Sequence, residues 1–192
     1  MTKSNKRLLT FIIPLVVFAV LIVMLFTRLG KPTDIEVSRV VGKPLPAFNL
    51  PLLSDTTRMM SNQDLPKQPF LLNVWGSWCP TCYAEHPFLL KLREQGVLLV
   101  GVNYKDELAN ALDYLNKYQD PFLYSVQDLS GQYALDLGIT GAPESYVVGD
   151  DGIVYKHIVG MVDDSNWEAI AQCLQAVRDK SLDSNARLQA CK

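Results

Sequence analysis

Histidine occurs twice and cysteine four times in these 192 residues, and no internal repeat or low-complexity tract interrupts them. Repeat architectures and biased-composition segments are thereby excluded. A structural zinc site would need four Cys or His ligands at suitable spacing. Cys79 and Cys82 could supply two, but His86 lies four residues beyond Cys82, and Cys173 and Cys191 are distant and unpaired in spacing, so no metal and no cofactor is expected. Covalent haem attachment requires a histidine directly after Cys-x-x-Cys; Tyr83 stands there instead. Basic residues are also scarce in most of the chain. From Leu45 onward 11 Lys and Arg face 18 Asp and Glu, a formal charge of −7 that the overall −2 conceals. That balance argues against a nucleic-acid partner. It suits a basic partner or plain solubility equally.

Charge is missing altogether between Leu8 and Phe26, 19 residues broken only by Thr10 and Pro14. Such a run can cross a bilayer core of roughly 30 Å. A cleavable signal would be shorter and would end in small residues; here Met24-Leu25-Phe26-Thr27-Arg28 is bulky and then charged. An uncleaved anchor is therefore expected. Lys3, Lys6, Arg7 and the terminal amine cluster on one side, whereas Arg28, Lys31, Arg39 and Lys43 are spread along the other. The positive-inside rule thus leans, weakly, toward a cytoplasmic N-terminus. The expected organisation is a cytoplasmic stretch 1–7, a transmembrane anchor 8–26, a tether 27–43, a domain 44–180 and a frayed tail 181–192.

Within the domain the pattern predicts a short strand at 47–53, loop with one helical turn at 54–68, a buried strand at 69–75 and a helix at 80–95. Val97 to Val102 is apolar on both faces, as a central strand covered on each side would be. A helix at 105–118, a strand at 122–126 and a short helix at 129–137 follow. Glu144–Val148 and Ile153–Val159 flank the turn-forming Gly149-Asp150-Asp151-Gly152 as a hairpin. Ser165-x-x-Glu168 reads as a capping box opening a last helix. This order predicts an α/β fold, a mixed sheet between helices.

The chemistry concentrates at Cys79-Pro80-Thr81-Cys82, directly after an apolar strand and at the start of a helix. Unpaired N–H groups and the dipole at a helix start favour a thiolate, and Pro80 suits the first helical position. Cys79 is expected at the helix mouth with its sulfur exposed, and Cys82 one turn in and shielded. Cys79 would then attack, and Cys82 resolve the mixed disulfide. Trp75 reads as core and Trp78 as a wall of the groove beside Cys79. Cys173 and Cys191 are left over; in an oxidising compartment they either pair or stay free.

Trp78-Cys79-Pro80-Thr81-Cys82 with Glu85-His86-Pro87, the segment Gly101-Val102-Asn103-Tyr104-Lys105-Asp106, and Gly141-Ala142-Pro143-Glu144 together resemble the thioredoxin superfamily. The likeness is closest to the membrane-anchored thiol:disulfide interchange proteins of cytochrome c maturation in Gram-negative bacteria. It implies a thioredoxin-like mixed sheet flanked by helices, preceded by one N-terminal transmembrane helix at the inner membrane, with the domain in the periplasm. It implies a reductant for the haem-binding cysteines of apocytochrome c or for a dithiol partner, itself re-reduced by a membrane electron-transfer protein. Pro143 would be a cis-proline facing the dithiol, His86 a packing residue, and Pro87 a structural kink. The sequence departs from thioredoxin at Asn73, where a buried Asp is expected six residues before the first cysteine. Glu85, three residues after Cys82 on the same helical face, becomes the candidate that deprotonates or tunes Cys82, with Glu144 the weaker candidate at the groove. Rival readings are a tethered reductase for another client, such as copper-site cysteines, and a scaffold that binds apocytochrome while its dithiol stays idle. A general oxidase is disfavoured, because such members usually carry Pro-His between the cysteines and a large helical insertion.

Overall fold

The computed structural model describes residues 3–28 and 39–192. The first unit is a single helix, α1 (Lys3–Arg28), with Pro14 inside it. Its described side chains run from 12 to 24, and Ile12, Leu15, Phe18, Leu21 and Val23 among them are exposed. Among the described residues no helix is long and apolar enough to cross a membrane; the expected 8–26 anchor extends past the described side chains at both ends, and most of the 27–43 tether lies outside the described residues.

The second unit is built on a seven-stranded sheet: β1 (Asn49–Leu52), β2 (Asp55–Ser61), β3 (Phe70–Trp75), β4 (Leu99–Tyr104), β5 (Tyr124–Asp128), β6 (Glu144–Val148) and β7 (Val154–Val159). The spatial order is β2-β1-β5-β4-β3-β6-β7. β3 runs parallel to β4 and β4 to β5, whereas β6, β7, β1 and β2 join antiparallel. The helices are α2 (Pro80–Glu94), α3 (Leu108–Tyr118), α4 (Gln132–Asp136), α5 (Trp167–Arg178) and α6 (Ser184–Ala190). Successive residues of a strand face opposite sides, and β3 shows the consequence. Phe70, Leu72 and Val74 join Tyr133 and Ala134 of α4 in one core; Leu71 and Trp75 join Leu89, Tyr114, Ile170 and Leu174 from α2, α3 and α5 in the other. Both faces of the central strands are covered, so their continuous apolar runs are satisfied. Gly101 sits where strands and side chains crowd: a Cβ there would collide with Ser125 Oγ and Trp75 Nε1.

Three sequence expectations are corrected. Residues 55–61, expected as loop, form the edge strand β2; only Met60 of it is buried, so no period-2 face marks it in the sequence. Ser165 and Glu168 do not make a capping box, because Asp163 takes both the Ser165 N–H and hydroxyl at 2.9 and 2.5 Å and the helix starts later, at Trp167. The tail past Ser181 folds as α6, capped by Asp183 and tied down by a Cys173–Cys191 disulfide. Arg187 strengthens that tie through the Asp179 carbonyl at 3.0 Å, and Lys156 through the Cys191 carbonyl. Packing also reaches in front of residue 44: Val40 is buried, and Val41 and Pro44 bridge to Val154 and Ile153.

Candidate active site

β3 ends at Trp75 and the chain turns through Gly76-Ser77-Trp78 into α2. Cys79 is the N-cap of that helix, in extended conformation, with Pro80 next to it. Its Sγ accepts the Cys82 N–H at 3.1 Å, one of the orphan donors of the first turn. Cys79 and Cys82 are joined as a disulfide. Across from them the Ala142–Pro143 peptide is cis, and the Ala142 carbonyl oxygen lies 3.3 Å from Cys79 Sγ. The expected difference in exposure between the two sulfurs is absent in this disulfide form: Cys79 is 2 % exposed and Cys82 3 %. Cys79 lies against the Ala142 carbonyl, so the two cysteines differ by helix position and neighbours, not by accessible area.

Trp78 stands half-exposed beside Cys79, its indole N–H donating to the Tyr104 carbonyl at 3.0 Å. Gly76 permits this, since a Cβ at that position would lie 2.6 Å from Trp78 Nε1. Trp75 is core, stacked on Tyr114 and Phe122. His86 is buried, bonded to the Tyr114 hydroxyl at 2.9 Å and near the Tyr118 and Gln119 carbonyls. Tyr114 OH also donates to the Cys82 carbonyl at 3.3 Å, tying α3 to the dithiol turn.

Glu85 lies on the buried face of α2 with Cys82, Leu89 and Leu92, not in solvent. Its Oε1 accepts the Val162 N–H at 2.6 Å and its Oε2 accepts Asn73 Nδ2 at 3.1 Å. Burial pushes its carboxyl up to about 7 despite those two hydrogen bonds. Asn73 donates its second amide hydrogen to Ser145 Oγ at 2.9 Å. The buried acid is thus carried by the helix, and the strand supplies a neutral donor beneath it.

Glu144 is placed under the Thr140–Pro143 loop, buried. Its Oε1 accepts the Thr140 N–H and hydroxyl at 2.8 and 2.5 Å and the Gly141 N–H at 3.1 Å, while Oε2 meets His157 Nε2 at 2.7 Å. Burial alone would raise its carboxyl, but the hydrogen bonds from His157 and Thr140 hold it below the usual carboxylate range. Its role is to hold the loop that carries Ala142 and Pro143. The structure brings Cys79, Cys82 and the Ala142–Pro143 peptide together and sets Trp78 and Glu85 on either side of the α2 turn.

Sequence reasoning missed Asp106, Tyr114 and His157. Asp106 lay in a segment singled out by resemblance, with no role attached; Tyr114 and His157 gave no local signal. Among the described residues no group of three His, Cys, Asp or Glu side chains is gathered as a metal site.

The redoxin family model matches residues 40–171. The thiol:disulfide interchange protein DsbE of Pseudomonas aeruginosa is 44% identical over 170 residues, covering 88% of this chain and 94% of that protein. The chain belongs to the redoxin family, in its DsbE-type thiol:disulfide interchange branch. The Escherichia coli DsbE is 38% identical over 165 residues, 82% of this chain and 88% of its own length. Among solved structures, a thio-disulfide isomerase from Thermus thermophilus superposes with a TM-score of 0.59 at 25% identity, covering 70% of this chain and 94% of that one. The chain is a thiol-disulfide oxidoreductase, and it carries Cys79 and Cys82 as a disulfide at the mouth of α2.

Proposed function

We propose that this oxidoreductase works as a membrane-tethered periplasmic reductant that keeps the haem-binding cysteines of apocytochrome c, or those of a dithiol partner, reduced for haem attachment. The observation that carries the chemistry is the Cys79–Cys82 pair at the mouth of α2 against the cis Ala142–Pro143 peptide. In the reduced protein the Cys79 thiolate attacks one sulfur of a client disulfide, and the client's other sulfur leaves as thiolate and takes a proton. Cys82 then loses its proton and attacks Cys79 Sγ. The client is released as a dithiol, and Cys79–Cys82 is left oxidised. Glu85, one turn after Cys82 and poised near neutrality, is the group we assign to receive and return the Cys82 proton. A membrane electron-transfer protein resets the pair by the reverse exchange.

Three features support the setting. Residues 8–26 carry no charge and lie within one unbroken helix. The second disulfide, Cys173–Cys191, belongs to an oxidising compartment. The domain's charge of −7 complements a basic client such as an unfolded segment rich in Lys. The test is in-cell capture with full-length Cys82→Ala. The expected result is a covalent Cys79-linked adduct containing apocytochrome c or a dithiol assembly partner. An adduct with an unrelated client would redirect the assignment, and non-covalent binding with no adduct would favour a scaffold.

A further inference from the structure

The segment that delivers Cys79 to the helix is held from outside α2. Asp106, buried just after β4, accepts the Ser77 N–H on Oδ2 at 2.6 Å and the Ser77 hydroxyl on Oδ1 at 2.7 Å. Asn103 Nδ2 donates to the same Oδ2 at 2.9 Å, and Gln127 Nε2 reaches the Asp106 carbonyl at 3.3 Å. The next residue of the loop, Trp78, is held by the Tyr104 carbonyl at 3.0 Å. Between Tyr104 and Asp106 stands Lys105, a non-glycine residue at φ 45°. An L side chain in that region is strained, and such strain persists where surrounding contacts impose it. Here the Asp128 carbonyl fixes the turn by accepting the Lys105 N–H at 3.0 Å. The turn aims the Tyr104 carbonyl at Trp78 and the Asp106 carboxylate at Ser77, one on each of two successive residues before Cys79.

We propose that Asp106 is a positioning residue of the exchange reaction, fixing through Ser77 the angle at which the Trp78 wall and Cys79 meet an extended disulfide-bearing chain. A small disulfide needs only the Cys79 sulfur. A peptide must also lie along Trp78, so the peptide is the substrate that feels the clamp. The inference rests on the redoxin activity and on no particular client.

The experiment follows reduced protein by stopped flow against a disulfide-bonded peptide and against hydroxyethyl disulfide, in wild type, Asp106→Ala, Ser77→Ala and the double variant. Asp106→Ala is expected to slow the peptide reaction about tenfold, the worth of a charge-assisted hydrogen bond. Ser77→Ala, which keeps the backbone tie, is expected to slow it about threefold. The double variant should be no slower than Asp106→Ala, since both changes break one link. Hydroxyethyl disulfide should react at close to the wild-type rate throughout. Wild-type peptide rates in Asp106→Ala, equal slowing of both disulfides, or multiplying effects in the double variant would each overturn the proposal. A wild-type protein inert toward both disulfides would instead overturn the reading of the dithiol itself.

Discussion

Replacing Glu85 by Gln tests the buried acid without emptying its site. The introduced side chain keeps an oxygen for the Val162 N–H. Asn73 Oδ1 has no donor in the fold, so turning the Asn73 amide over lets that oxygen accept both the new amide N–H and the Ser145 hydroxyl. What is lost is the ionisation. Glu85 titrates from 4.5 unfolded to about 7 folded, so between those pH values the native state holds a proton that the unfolded chain has released. Stability therefore falls as pH rises through this window. The contribution is fully present below pH 4.5 and gone above about pH 7. A shift of that size corresponds to about 3 kcal/mol. Urea unfolding of the oxidised domain at pH 4.5, 5.5, 6.5 and 8 should show the wild type losing about 3 kcal/mol relative to Glu85→Gln across the series, with the variant flatter. Parallel curves would refute the claim that Glu85 is a desolvated acid near neutrality, and with it the proposed proton transfer to and from Cys82.

Other outcomes follow from neighbouring contacts. Asn73→Asp would set a second carboxylate where the amide now lies 3.1 Å from Glu85; a loss of about 3–5 kcal/mol at pH 8, shrinking toward pH 5, is expected from denaturant titration. Glu144→Ala removes the one oxygen that accepts the Thr140 and Gly141 donors, and their amides should exchange with solvent roughly 10–100-fold faster, read by NMR. Cys191→Ser removes the 18-residue closure onto Cys173; the chain-entropy account expects about 3 kcal/mol of destabilisation, roughly 6–12 °C in melting temperature. Dithiol exchange by Cys79 and Cys82 should continue in that variant.

What could be read from the sequence was local. The strand, the turn into Cys79 and the Pro80 helix start follow from adjacent residues, and the sheet's central strands announced themselves by unbroken apolar runs. The cis peptide at Pro143 followed from the resemblance alone. The rest depends on pairs far apart in the chain. Glu85 acquires its buried setting from Asn73, 12 residues earlier, and from Val162, 77 residues later. Asp106 meets Ser77 across 29 residues, and His157 meets Glu144 across 13. No periodicity encodes those contacts. The α6 tail was hidden for a similar reason: a seven-residue helix is too short to signal itself and is held by a disulfide, Arg187 and Lys156. Both sulfurs being covered was equally illegible, because helix position says where Cys79 starts and nothing about the Ala142 carbonyl opposite.

The account stands on the two cysteines having unequal roles. Reduced wild-type protein, pulsed with iodoacetamide at pH 7 and mapped by mass spectrometry, should carry the label at Cys79 at least about tenfold ahead of Cys82, as a thiolate favoured at the helix start over a thiol one turn in requires. Equal labelling of the two, or faster labelling of Cys82, would contradict it.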